Sequence, residues 1–259
     1  MNRYLLRLEY LGLNYYGSQK QPDKNTIQEE IEKALCTLIK NKISTIFSGR
    51  TDSKVSAKSA TAHFECEQEF NEYKFLNSLN GILPDDIRVF EIKKVDKTFH
   101  AQKSAKYRHY CYTIRNDKIK SAFDLTVNHI RHPLSEKRMS EALKMLEGEF
   151  DFSAFKSHSD NPAKICQIYW TDVARSDCGK YIKIHIIGNR FLYNMVRTIV
   201  GTLLMIEKDK LEPLSMLEIL NSKDRSKAGA TAPAQGLMLE YVGYDDWQEY
   251  IKYIGKVNK

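Results

Sequence analysis

The stretch Ser48-Gly49-Arg50-Thr51-Asp52-Ser53-Lys54-Val55-Ser56-Ala57 gathers one carboxylate, two cations and four hydroxyls directly after an apolar run. An acid in that place stands on a loop at a strand end. In the plainer reading Asp52 bonds its own backbone in a solvated turn. In the functional one, Arg50 and Lys54 on either side favour the ionised carboxylate, which suits a nucleophile better than a general acid. Spacing alone leaves both open.

Two further places could contribute. Arg197 lies in Asn194-Met195-Val196-Arg197-Thr198-Ile199-Val200-Gly201, an otherwise apolar helical stretch. It is either on the solvent side of an amphipathic helix or buried, and if buried it needs a carboxylate partner, for which Asp52 is a candidate. The strand-like segment Lys103 to Tyr112 alternates so that Lys106, Arg108, Tyr110 and Tyr112 share one face. Such a face can stack on bases while neutralising phosphates. Tyrosine is also simply a good strand residue, and Tyr110 and Tyr112 then belong to the core.

These residues need a scaffold. Arg3 to Tyr10 alternates and predicts a half-buried strand, followed by a turn at Gly12 to Gly17. Thr26-Ile27-Gln28-Glu29 has the form of a capping box, and Ile27, Ile31, Leu35, Leu38 and Ile39 recur at helical spacing, so a helix is expected over 26–40. Strands are expected at 43–48, 60–65, 87–95 and 106–114, with a short helix over 73–80 stopped by Gly81 and Pro84. After a loop at 121–133, helices are expected over 135–148, 191–207 and 213–221. Strands fall at 165–173, 181–187 and 237–242. The class is α+β, mainly antiparallel sheet, in two subdomains divided at 120/121. The similar order of elements permits a pseudo-symmetric pair with helices packed on one side of each sheet and an active-site cleft between them.

Composition bounds the function. The 259 residues include 40 Lys and Arg against 33 Asp and Glu, a net charge of +7, so an anionic partner is one option. With 42% hydrophobic and 28% charged residues the usage is that of a globular chain. No apolar run approaches the roughly 20 residues that cross a bilayer, and the N-terminus turns polar before a signal-peptide core develops. A cytoplasmic location is the expectation. Five cysteines without Cys-x-x-Cys spacing argue against disulfides, and seven histidines without ligand spacing argue against a metal. Phosphate loops, dinucleotide fingerprints and the Gly-x-Ser-x-Gly elbow are absent from the sequence.

Taken in order, the segments resemble the TruA family of tRNA pseudouridine synthases along almost the whole chain. Gly49 to Asp52 is the family's Gly-Arg-Thr-Asp. Tyr15-Tyr16-Gly17-Ser18-Gln19 is similar to its early Tyr-x-Gly-x-Gln element, and Gln28 to Leu35 to its first helix. Asn80 to Ile87, Phe99-His100-Ala101, Tyr110-x-Tyr112-x-Ile114, Asp151 to Phe155, Phe191 to Gly201 and Ala232 to Leu237 follow in the family's order.

The resemblance implies a uridine extruded from the RNA stack, cut at N1–C1′, turned and rejoined through C5, in the anticodon stem-loop of tRNA, without cofactor or metal. It implies Asp52 as the essential carboxylate, attacking or otherwise handling the ribosyl C1′ region. Tyr110 would cover the base and could relay the C5 proton. Arg197 would accompany Asp52, and Arg50 would help displace or replace the flipped base. The positive charge would hold tRNA, and a homodimer is implied. The sequence departs from the family where Gly-Arg-Thr-Asp usually continues as Ala-Gly-Val-His-Ala: a Gly is Lys54 and a His is Ser56. The usual Trp before Gln19 is Ser18, and the usual Arg after Phe-His-Ala is Gln102. These changes raise the alternatives of a non-catalytic tRNA-binding relative or a paralogue with a changed RNA target. A hydrolytic nucleosidase on the same scaffold is a third reading.

Overall fold

In the computed structural model, which describes residues 1–158 and 162–257, the N-terminal alternation becomes β1 (Asn2–Tyr10). There follow α1 (Ile27–Ile39), β2 (Thr45–Phe47), β3 (Ser56–Cys66), α2 (Glu72–Asn80), β4 (Ile87–Val95) and β5 (Tyr107–Asn116). Next come β6 (Asn128–Ile130), α3 (Glu136–Lys144), β7 (Gly148–Asp151), β8 (Ile165–Arg175), β9 (Tyr181–Gly188) and α4 (Met195–Lys208). The chain then forms α5 (Ser215–Ser222), β10 (Leu237–Gly243) and α6 (Trp247–Val257). The class is α+β, as expected.

Two compact units emerge, Met1–Arg108 with Leu239–Lys259, and His109–Met238. This differs from a cut at 120/121. The divide falls inside β5, and the chain returns to the first unit through β10, which lies beside β3 in the sheet. Lys106 N–H donates to the carbonyl of Gly243 at 2.9 Å, tying that return in place. A strand that goes back to an earlier partner leaves no mark in composition.

In the first unit the strand order is β4-β1-β3-β10, with β2 paired to β3. β1 runs antiparallel to both β3 and β4, and Tyr4, Leu6, Leu8 and Tyr10 are buried as the alternation predicts. Of the expected capping box the N-cap bond forms: the Thr26 side chain accepts from Glu29 N–H. Lys40 ends α1 in the left-handed conformation. Ile27, Ile31, Leu35 and Ile39 are buried, and burying each such side chain favours folding by about 1.5–3 kcal/mol. α1 packs by β2 and α2 by β4.

The second unit has the order β5-β9-β8-β7. The pairs β7–β8 and β8–β9 are antiparallel, while β6 runs parallel to β5 inside the stretch expected as loop. α3 packs on β8, and α4 touches both α3 and α5. α3 stops at Lys144, short of the expected end, because Gly148 already opens β7 opposite Ile168. α4 starts at Met195 rather than at 191, because Asn194 has φ 61 and a left-handed residue interrupts the helical path. β3 starts at Ser56 rather than at 60, where Ala57 pairs with Tyr10 beyond an irregularity in register. β7 and α6 were not expected from the sequence. Among the described residues no helix is long and apolar enough to cross a membrane.

Candidate active site

The loop between β2 and β3 is held from several sides, all within the first unit. Ser48 N–H donates to the Thr61 carbonyl at 2.8 Å, and the Arg108 guanidinium donates to the Ser48 carbonyl at 2.9 Å. Thr51 is buried. Its N–H donates to the Ser18 hydroxyl at 2.8 Å, Ser18 N–H donates back to the Thr51 carbonyl at 3.2 Å, and Tyr10 and Thr51 hydroxyls bond at 2.8 Å. On the far side, Ser56 accepts from Gly12 N–H at 2.9 Å. Only glycine fits at two of these approaches. A Cβ at Gly12 would collide with the Val55 carbonyl, and Gly17 has φ +99 with its added Cβ 2.8 Å from the Thr51 carbonyl.

Between these anchors the chain turns. Val55 N–H closes on the Asp52 carbonyl at 3.1 Å, so Asp52 to Val55 is a β-turn with Ser53 and Lys54 at its centre. Lys54 N–H and the Ser53 hydroxyl both donate to the Tyr15 carbonyl at 3.2 Å. Lys54 has φ 67, a left-handed conformation that costs a side-chain-bearing residue roughly 1–2 kcal/mol relative to its usual region. Asp52 is half-exposed, and Arg50, Ser53 and Lys54 are exposed. The turn thus presents a carboxylate from a loop whose backbone bonds are satisfied on both flanks.

Tyr110 and Arg197 belong to the second unit. Tyr110 is half-buried on β5, and its ring meets Phe191 edge-on at 5.2 Å. Arg197 is half-buried on α4. Its Nε donates to the Ala232 carbonyl at 2.8 Å and its Nη1 to Asn194 Oδ1 at 2.9 Å, while Ala232 N–H returns a bond to the Arg197 carbonyl at 3.1 Å. The guanidinium is therefore oriented by the residue just before the helix, Asn194, and by the segment before β10. That segment also receives Tyr112, whose hydroxyl donates to the Pro233 carbonyl at 2.8 Å. Within this unit, three stretches singled out in the sequence meet: the tyrosine strand, the Met-Val-Arg helix and Ala232 to Leu237.

The expected base-stacking face of Lys106, Arg108, Tyr110 and Tyr112 does not form as a set. Tyr112 is fully buried, and burial pushes its hydroxyl well above the ordinary tyrosine range. Arg108 is turned to the carbonyls of Ser48, Gln102 and Ala105. It braces the Asp52 loop rather than lying open. Ser18 and Ser56, which stood out in the sequence only as departures, supply the hydroxyls that clamp that loop. The nearby pair Gly12 and Gly17 was the one signal that backbone had to come close there. Behind Tyr110, buried His109 and half-buried His185 share a bond of 2.9 Å between ring nitrogens. Among the described residues no cluster of His, Cys, Asp or Glu could hold a metal ion.

The chain matches the family model for tRNA pseudouridine synthases over residues 8–104 and 142–245. It is 40% identical over 246 residues to a protein of Clostridium acetobutylicum named tRNA pseudouridine synthase A, covering 94% of this chain and 100% of that protein. It is 38% identical over 245 residues to tRNA pseudouridine synthase A 2 of Clostridium perfringens, again covering 94% of this chain and 100% of that protein. With tRNA pseudouridine synthase A of Acetivibrio thermocellus it shares 40% identity over 245 residues, at 94% and 100% coverage.

Proposed function

Because the chain belongs to the tRNA pseudouridine synthase family, we propose that it isomerises uridine to pseudouridine in the anticodon stem-loop of tRNA. The reaction keeps the atoms of the nucleotide. The N1–C1′ bond breaks, the uracil turns, a C5–C1′ bond forms, the C5 proton leaves and N1 takes one up. Reaching the base requires extruding it, at a few kcal/mol of unstacking that aromatic contacts in the pocket offset in part.

Asp52 is the carboxylate that handles C1′. One observation supports that choice: it is half-exposed on a turn held at Thr51 and Ser56, between two exposed cations. A positioned group converts binding into rate because its approach is settled before the substrate arrives. Tyr110 covers the base and relays the C5 proton, Arg197 is the cationic partner of Asp52, and Arg50 takes the place the flipped base leaves. The +7 charge serves tRNA phosphates. The enzyme works in the cytoplasm as a homodimer, which sedimentation at micromolar concentration tests directly.

The catalytic assignment is tested with tRNA tritiated at uridine C5. The wild type releases tritium to water and Asp52→Ala does not, while both retain tRNA. Absence of release by the wild type removes the assignment.

A further inference from the structure

We propose that Lys54 is a phosphate-contacting residue of the Asp52 turn, which sets the strength and salt dependence of tRNA binding in this chain. The inference rests on the reading of the protein as a tRNA pseudouridine synthase.

Two independent observations carry it. First, Lys54 stands at the third position of the β-turn with φ 67, the place where glycine or asparagine is favoured because a Cβ is crowded there. The fold gains nothing from the side chain itself, since it is exposed and the turn's bonds are made by backbone and by Ser53. A long cation in a glycine position is a cost without a structural return.

Second, the charge is uncommitted. Among the described residues neither Arg50 nor Lys54 has a side-chain hydrogen bond or ion pair. Three other lysines of the first unit are by contrast engaged: Lys20 with Glu32 at 3.3 Å, Lys58 with Glu240 at 2.9 Å, and Lys24 over the Tyr16 ring at 4.6 Å. The turn therefore carries a compact ammonium two residues beyond Asp52, on a backbone fixed to Tyr15. Lysine binds phosphate as a point charge, so its reach suits a backbone phosphate beside the extruded nucleotide rather than a base edge.

The test compares wild type with Lys54→Gly, Lys54→Asn and Lys54→Arg, using unfractionated tRNA for binding across a salt series and C5-tritiated tRNA for turnover. Asparagine tolerates the left-handed conformation, which separates charge from strain. Glycine and asparagine variants are expected to lose about three- to tenfold in affinity at moderate salt. The slope of log K against log salt should fall by roughly 0.7–0.9, as for one lost phosphate contact. In turnover the loss falls on KM rather than kcat, and arginine restores it. Unchanged slopes in both neutral variants overturn the inference, as does a wild type that fails to bind tRNA. A wild type that binds with the expected slope difference but releases no tritium overturns the catalytic reading and leaves the role of Lys54 standing.

Discussion

Ser18 and Thr51 face each other through two hydrogen bonds, the Thr51 N–H to the Ser18 hydroxyl at 2.8 Å and the Ser18 N–H to the Thr51 carbonyl at 3.2 Å, with both residues buried. The residue next to Thr51 is Asp52, so this pair decides where the carboxylate stands. Ser18→Ala leaves the Thr51 N–H buried without its acceptor, which costs about 1–3 kcal/mol. Urea unfolding of Ser18→Ala should show that loss, together with slower tritium release. A change within about 0.3 kcal/mol means the pair is not what holds the loop.

Arg197 is gripped at two atoms, Nε by Ala232 and Nη1 by Asn194. Lysine keeps the charge but has no planar fork to reach both. Arg197→Lys is expected to lower single-turnover tritium release at least about tenfold, the size of a lost charge-assisted hydrogen bond. Its unfolding free energy should fall by about 1 kcal/mol. Full activity in Arg197→Lys shows that charge suffices without orientation.

Lys54→Gly relieves the left-handed strain at φ 67. Glycine also gives the unfolded chain more freedom, which offsets part of the gain. A net increase of about 0.5 kcal/mol in unfolding free energy is expected, alongside the weaker tRNA binding. A loss of stability indicates that the lysine side chain supports the fold.

Buried His63 accepts the Ala101 N–H at Nδ1 over 3.1 Å and meets His100 edge-on. Burial, then the charges of Arg3 and His100, push its pKa down from 6.5 to about 4. A group whose pKa is lower in the folded state binds fewer protons there. Its contribution is therefore whole above pH 6.5 and declines as pH falls towards 4, and the unfolded chain gains the proton first. Between pH 7.5 and 4.5 this residue should account for roughly 2 kcal/mol of lost stability. Comparing the pH dependence of urea unfolding in wild type and His63→Asn checks it, the variant lacking that share of the slope.

Where the sequence carried a local rule, it read through to structure: the alternation of β1 and the Thr26 N-cap of α1 need only residues close by in the chain. What depended on distant partners did not. Gly148 to Asp151 is a strand because Ile165 to Ile168 lies opposite, and four residues carry too little period to announce it. Tyr110 and Tyr112 look alike in sequence, yet the segment at Pro233 buries the second of them. Asp52 stood out by its company. The clamp that aims it did not, since Ser18 and Ser56 are ordinary turn residues until Thr51 and Gly12 are brought to them.

The most direct test of the central claim is the nucleoside composition of tRNA after incubation with the protein, with modified positions mapped. Wild type should convert uridine to pseudouridine mole for mole in the anticodon stem-loop, at unchanged RNA mass, and Asp52→Ala should leave the uridine intact. Free uracil with a matching loss of RNA mass, or uridine untouched by the wild type, would contradict it.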